Sequence, residues 1–148
     1  MGKADAVQPE GPSTQTNSAL IAALKHLEQA PSAESRASVY AATLAARFLV
    51  PLRNERDPTI EPGNPLRVVV FHGDLGEELP VFTDWDAAWL WPGNERAPSF
   101  AVMTGPRVFQ MALRLEIALV LINPHGPLGL RVNRAAIAML SEGRVGDQ

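Results

Sequence analysis

The stretch "IALVLINP" (117–124) contains a run of six apolar residues, and it decides the fold class. Its apolar residues are continuous rather than alternating, which is typical of a strand that is covered on both faces. The run "VVVF" (68–71) has the same character. We therefore predict a buried β-sheet with helices on both of its sides.

Two helices are predicted ahead of the sheet. Asn17 or Ser18 caps the first helix, and Ser32 caps the second, which runs from about Ala33 to Phe48. Apolar residues recur at helical spacing in both: Leu20, Ile21, Leu24 and Leu27 in the first helix, and Tyr40, Leu44 and Phe48 in the second.

Strands and helices follow one another in the rest of the chain. From Leu79 onward the order strand–helix–strand–helix–strand–helix favours a partly parallel, mixed sheet. The prediction is a single α/β domain, a mixed β-sheet flanked by helices. Its segments are a strand at 48–52 with Pro51 at an edge or strand end, a loop at 53–65, a hairpin of 67–72 and 79–83, a helix after Thr83, a strand at 98–103, a helix at 106–115, a strand at 117–124, a short segment "GLRV" and a helix from Asn133 to Leu140.

Length and charge exclude several classes of protein. A chain of 148 residues suits one domain, and its formal net charge of −3 provides no cationic surface for nucleic acid. No cysteine is present, which excludes disulfides and thiolate chemistry. No apolar run approaches the roughly 18 residues of a membrane span. We predict a cytoplasmic protein without nucleic-acid or membrane partners.

Composition also predicts the domain boundaries. Residues 1–17 are rich in Pro, Gly, Gln, Ser and Thr and contain almost nothing to bury, so we predict a disordered leader. The domain is predicted to cover 18–142, and 143–148 to form a flexible tail.

The stretch "PVFTDWDAAWLW" (80–91) combines two carboxylates with three tryptophans. An acid/base pair would need both carboxylates to converge on one bond. On a helix, Asp84 and Asp86 would instead diverge by about 200°. Thr83 as N-cap with Asp86 at the third helical position forms a capping box. The pattern therefore favours a helix start over a catalytic pair.

The three tryptophans are predicted to differ in burial. Trp85 and Trp89 are four residues apart and share one helical face, so we expect them to pack on the sheet. Trp91 precedes Pro92 at the end of the helix. Both packing and a role in a contact surface remain open for it.

Other chemical patterns are weak. His72 and Asp74 lack the second spaced pair that a metal site with His125 would need. The loops "TGPR" (104–107) and "NPHGPLG" (123–129) could offer amides to an anion, but their prolines remove donors. No G-x-S-x-G motif is present, and no Ser–His–Asp set can be assembled. No catalytic residue, metal or cofactor is predicted.

Four segments, taken in order, resemble the N-terminal domain of the bacterial SseB family, named for enhanced serine sensitivity. The resemblance covers roughly residues 18–141 and implies neither an established activity nor catalytic residues to transfer. The segments are "FLVPL" (48–52), "ELPVFTDWDAAWLW" (78–91), "FAVMTGPRVFQMAL" (100–113) and "LVLINPHGPLGLRV" (119–132).

Two functional hypotheses follow. The first is a non-catalytic interaction or regulatory module that binds a protein partner, with homo-oligomerisation left open. Its predicted contact surface combines Trp91, the Glu95–Arg96 loop and the turn at His125.

The alternative is a small-ligand-binding protein or an enzyme. Ligands of open α/β sheets bind at the carboxyl ends of the strands. In this sequence that edge is predicted to present Thr83, Asp84, Thr104 and Asn123. A concave pocket of polar groups would favour this hypothesis over the first.

Overall fold

The computed structural model describes residues 17–52, 68–92 and 99–145. The predicted loop at 53–65 and nearly all of the predicted leader lie outside these ranges, as do the last three residues of the predicted tail. Five helices and six strands lie within them: α1 (Ser18–Gln29), α2 (Ala33–Leu44), β1 (Arg47–Leu52), β2 (Phe71–Gly73), β3 (Gly76–Val81), α3 (Trp85–Leu90), β4 (Ser99–Thr104), α4 (Gly105–Arg114), β5 (Leu119–Ile122), β6 (Leu130–Asn133) and α5 (Arg134–Ser141).

The strands form a mixed sheet, as predicted. One part has the order β2-β3-β5-β6, in which β3 and β5 are parallel and the outer pairs are antiparallel. The other part is the antiparallel pair β1-β4. Leu49 and Phe82 join the two parts by exchanging both backbone hydrogen bonds, at 2.9 and 3.0 Å. The chain is therefore a mixed α/β domain.

The main core lies on one face of the sheet, under four helices. Alternate strand residues enter it, such as Phe48 and Val50 of β1 and Leu79 and Val81 of β3, because successive side chains point to opposite faces. Full burial of each such side chain stabilises the fold by about 1.5–3 kcal/mol. The helices contribute Leu20, Leu24, Val39, Val108, Phe109, Ala112, Ala136, Ile137 and Leu140.

The opposite face has less cover than the sequence predicted. The buried residues of a second cluster lie around α3 and include Leu49, Phe82, Ala88 and Trp91. Within the described ranges, β5 and β6 contribute nothing to this cluster. Helices flank both faces, but among the described residues the short helix α3 covers only part of the second face, on which Leu121 is partly exposed and Arg131 is exposed.

Three details of the elements differ from the prediction. The hairpin strands, predicted at 67–72 and 79–83, are Phe71–Gly73 and Gly76–Val81. Phe48 was predicted both at the end of the second helix and in the strand at 48–52; it lies in β1 and pairs with Met103, because α2 ends at Leu44. The segment "GLRV" contributes to a strand, β6, that the sequence patterns did not reveal. β6 is a four-residue edge strand. Its pairing with β5 stabilises it more than the β propensity of its own residues does.

Candidate functional site

Thr83 and Asn123 form a buried hydrogen-bond network at the carboxyl ends of the parallel strands β3 and β5. The backbone N–H of Thr83 donates to Asn123 Oδ1 at 3.0 Å. Asn123 Nδ2 donates to Thr83 Oγ1 at 3.1 Å and to the carbonyl of Leu128 at 3.2 Å. Asn123 has a φ of 53°, a left-handed conformation that asparagine adopts more readily than most residues. The network fixes β3 against β5.

Asn17 extends the network to the start of the domain. Its Nδ2 donates to the carbonyl of Thr83 at 2.7 Å and to that of Arg47 at 2.8 Å, and its Oδ1 accepts the Arg47 N–H. Asn17 holds the N-cap position of α1, as predicted, but its side chain does not cap the helix. The sequence placed Asn17 in the leader, whereas its burial makes it part of the folded domain.

Three of the four predicted ligand-edge residues lie together. Thr83, Asp84 and Asn123 are joined because the Thr83 hydroxyl donates to Asp84 Oδ2 at 2.9 Å. Thr104 ends β4 opposite Arg47, is exposed and makes no capping bond. Since the polar atoms of Thr83 and Asn123 are engaged with one another, their arrangement is suited to locking strand ends rather than to receiving a ligand.

The N-cap of α3 is Asp84, so the prediction of Thr83 was wrong. Asp84 has extended backbone angles, and its Oδ1 accepts the N–H of Ala87 at 2.8 Å. The hydroxyl of Thr83 is engaged by Asp84 and Asn123 and caps nothing. Asp86 lies exposed in the first helical turn, where a negative charge favours the positive end of the helix dipole.

The burial of the tryptophans was predicted wrongly for Trp89. Trp89 is 51% exposed and stacks on Trp85, with ring centroids 5.6 Å apart. Trp91 is only 3% exposed and packs against Phe71 and Phe82 at centroid distances of 5.8 and 5.3 Å. The reason is local: α3 ends at Leu90, and the extended backbone of Trp91 redirects its ring toward the sheet.

The open part of the sheet face contains two adjoining depressions of about 410 and 750 Å³. Both are lined by Glu78, Leu121, Pro124 and His125. We call the two together the sheet groove. Its remaining lining residues are Phe71, Pro80, Trp91 and Pro92 in the first depression, and Ile122, Asn123, Gly126, Gly129, Leu130 and Arg131 in the second.

Glu78 and Arg131 give the sheet groove two opposite charges. Glu78 is half-buried next to Phe71, its partner on β2, and Arg131 is exposed opposite Leu121. Within the described part of the chain, neither charged group has a hydrogen bond or an ion pair. The Glu78 carboxylate lies over Gly73, in the space that a Cβ at that position would occupy. The groove thus presents an unpaired anion and an unpaired cation on either side of apolar residues.

The predicted contact surface is present in part. Trp91 and His125 line the same depression, Trp91 as a buried wall and His125 as an exposed residue with a φ of 69°. Glu95 and Arg96 lie outside the described residues. The sequence patterns missed Glu78, Leu121 and Arg131, because only the strand register shows that they share a face. One signal that could have found them was the acidic pair that interrupts the apolar pattern of "GEELPVF" (76–82).

Neither a metal-binding cluster nor a membrane-spanning helix occurs in the described ranges. In these ranges, His, Cys, Asp and Glu nowhere form a group of three or more that could hold a metal. His72 lies 3.8 Å from Glu77 on the exposed hairpin. None of the described helices has the length and apolar character needed to cross a membrane.

The fold and the groove together define a small mixed α/β domain with one well-covered and one partly open sheet face. The chain belongs to the SseB family: the family model for the SseB protein N-terminal domain matches residues 20–139, which confirms the resemblance noted in the sequence. No curated protein and no solved structure matched the chain.

Proposed function

We propose that this SseB-family domain is a non-catalytic interaction module that binds a partner protein through the sheet groove. The observation that carries the proposal is a partly open sheet face on which Glu78 and Arg131, beside the apolar Leu121, have no partner among the described residues. Mixed apolar and charged surfaces of this kind suit reversible contacts between proteins. Trp91 supports the groove as a wall, and His125 is accessible at its end.

The second depression adjoins the strand ends through Asn123, but the alternative of a small-ligand site or active site at those ends has less support. Thr83 and Asn123 direct their polar atoms at each other, and Asp84 caps α3. A ligand would have to break these buried bonds before it could use them. An enzyme is still the alternative hypothesis, and a bacterial origin, a cytoplasmic location and self-association stay predictions.

The proposal is tested by affinity capture from the cell of origin with wild type and two matched variants. Leu121→Lys places a charge in the sheet groove, and Leu113→Lys places the same charge on α4, where Leu113 is 41% exposed. We expect a partner that wild type and Leu113→Lys retain and that Leu121→Lys loses by at least tenfold.

Circular dichroism and the melting temperature establish that both variants are folded. Equal retention of every captured protein by the folded Leu121→Lys variant would refute the groove as the contact surface. Arg131→Leu, which adds no charge to the groove, serves as a second variant if Leu121→Lys does not fold.

A further inference from the structure

The two unpaired charges of the sheet groove specify the chemistry of its occupant. We infer that the groove binds an extended peptide segment of the partner, an inference that rests on the proposed function. The segment has a basic and an acidic residue four positions apart and an apolar residue midway between them. The basic residue pairs with Glu78, and the acidic residue pairs with Arg131.

The strand register sets this spacing. Glu78 pairs with Leu119, and Leu121 pairs with Arg131, so the two charged residues are two strands apart and offset by two residues. With strands about 4.8 Å apart and a rise of about 3.3 Å per residue, their Cα atoms are about 12 Å apart. An extended segment advances about 13 Å over four residues, and its residues i, i+2 and i+4 face the same side.

The floor between the charges is apolar. Leu121 of β5 lies between β3 and β6 and lines both depressions, and its register partner Pro80 lines the first depression beside it. The middle residue of a bound segment would lie on this floor, where a polar side chain would lose its hydration. We therefore expect an apolar side chain at this position. The Glu78 carboxylate lies over Gly73 of β2, on the side of β3 that faces away from Arg131, so the basic side chain of the segment must extend past Glu78 to reach it.

The dimensions of the face favour a short segment over a second copy of the chain. The three strands β3, β5 and β6 span about 10 Å, and a six-residue strand such as β3 is about 20 Å long, which gives about 200 Å². A stable interface between folded proteins buries about 800 Å² on each partner. The open face is large enough for about six extended residues.

The probe is a random library of 12-residue peptides displayed on phage. The library is first selected on the wild-type protein. Peptides that also bind the Leu121→Lys variant are then removed. We expect the remaining peptides to share the basic–x–apolar–x–acidic spacing, in either chain direction. Their affinity should fall at least tenfold on both Glu78→Gln and Arg131→Gln. Gln110→Glu on α4, outside the groove, should leave their affinity unchanged.

A charge-swapped chain separates this inference from the proposed function. Glu78→Lys combined with Arg131→Glu should bind peptides whose charges are exchanged and reject the original ones. Peptides that depend on Leu121 but ignore both charges would overturn the inference and leave the proposed function standing. A selection without any Leu121-dependent peptide would overturn both, and a dimer that Leu121→Lys dissociates would overturn the inference in favour of a second copy.

Discussion

Thr83 shows how two asparagines far apart in sequence can fix one residue. Asn123 engages its N–H and hydroxyl, and Asn17 engages its carbonyl. All three residues are buried. Buried polar groups are costly when unpaired, so the loss of one asparagine leaves unsatisfied groups in place. The sequence pointed to Thr83 and Asn123 at one sheet edge, but their mutual pairing follows from side-chain geometry that local patterns do not encode.

Asn123→Ala should lower the free energy of unfolding by about 2–4 kcal/mol, because the Thr83 N–H and the Leu128 carbonyl lose their partner. Urea unfolding followed by circular dichroism measures the change. His125→Ala is the matched control, since His125 also has a positive φ but no side-chain hydrogen bond, and it should cost below about 1 kcal/mol. Equal losses for the two variants would contradict the role of the network.

At the scale of elements, local signals predicted most helices and strands. Ser32 caps α2, and Asn133 caps α5 by accepting the Ala136 N–H, both as the sequence predicted; the capping box that Ser32 forms with Ser35 was not predicted. Sequence patterns predicted the structure wrongly where pairing between distant segments determines it. Strand β6 exists because β5 pairs with it, and the second helix ends at Leu44 instead of the predicted Phe48 because Phe48 pairs with β4 in the sheet.

The start of α3 gives a test at this scale. Asp84→Ala should lower the free energy of unfolding by about 1 kcal/mol, because the Ala87 N–H loses its acceptor. Asp86→Ala is the control in the first turn of the same helix and should cost below about 0.5 kcal/mol, since it loses only a helix-dipole interaction. Thermal melts of the two variants measure both effects. A larger loss for Asp86→Ala would restore the capping arrangement that the sequence suggested.

At the scale of the whole molecule, the unequal cover of the sheet is the main feature. Continuous apolar runs such as "ALVLI" (118–122) predicted cover on both faces, yet Leu121 points toward the groove while Val120 and Ile122 enter the core. An apolar side chain in an open groove and one in a core look alike in sequence. The fold class could therefore be predicted, whereas the location of the open face could not.

The proposed function depends on whether the sheet groove is occupied in the cell. Site-specific photo-crosslinking tests this even for an unidentified partner, because a benzoylphenylalanine side chain captures whatever lies against it. His125 is exposed and lines both depressions. His26 is an exposed histidine on α1 and serves as the matched control position.

The measurement is the set of crosslinked proteins recovered from irradiated cells that carry the probe at either position, resolved by mass. We expect a discrete adduct from position 125 that position 26 does not give and that Leu121→Lys abolishes. The absence of any adduct specific to position 125, or one that survives Leu121→Lys, would contradict the sheet groove as the contact surface.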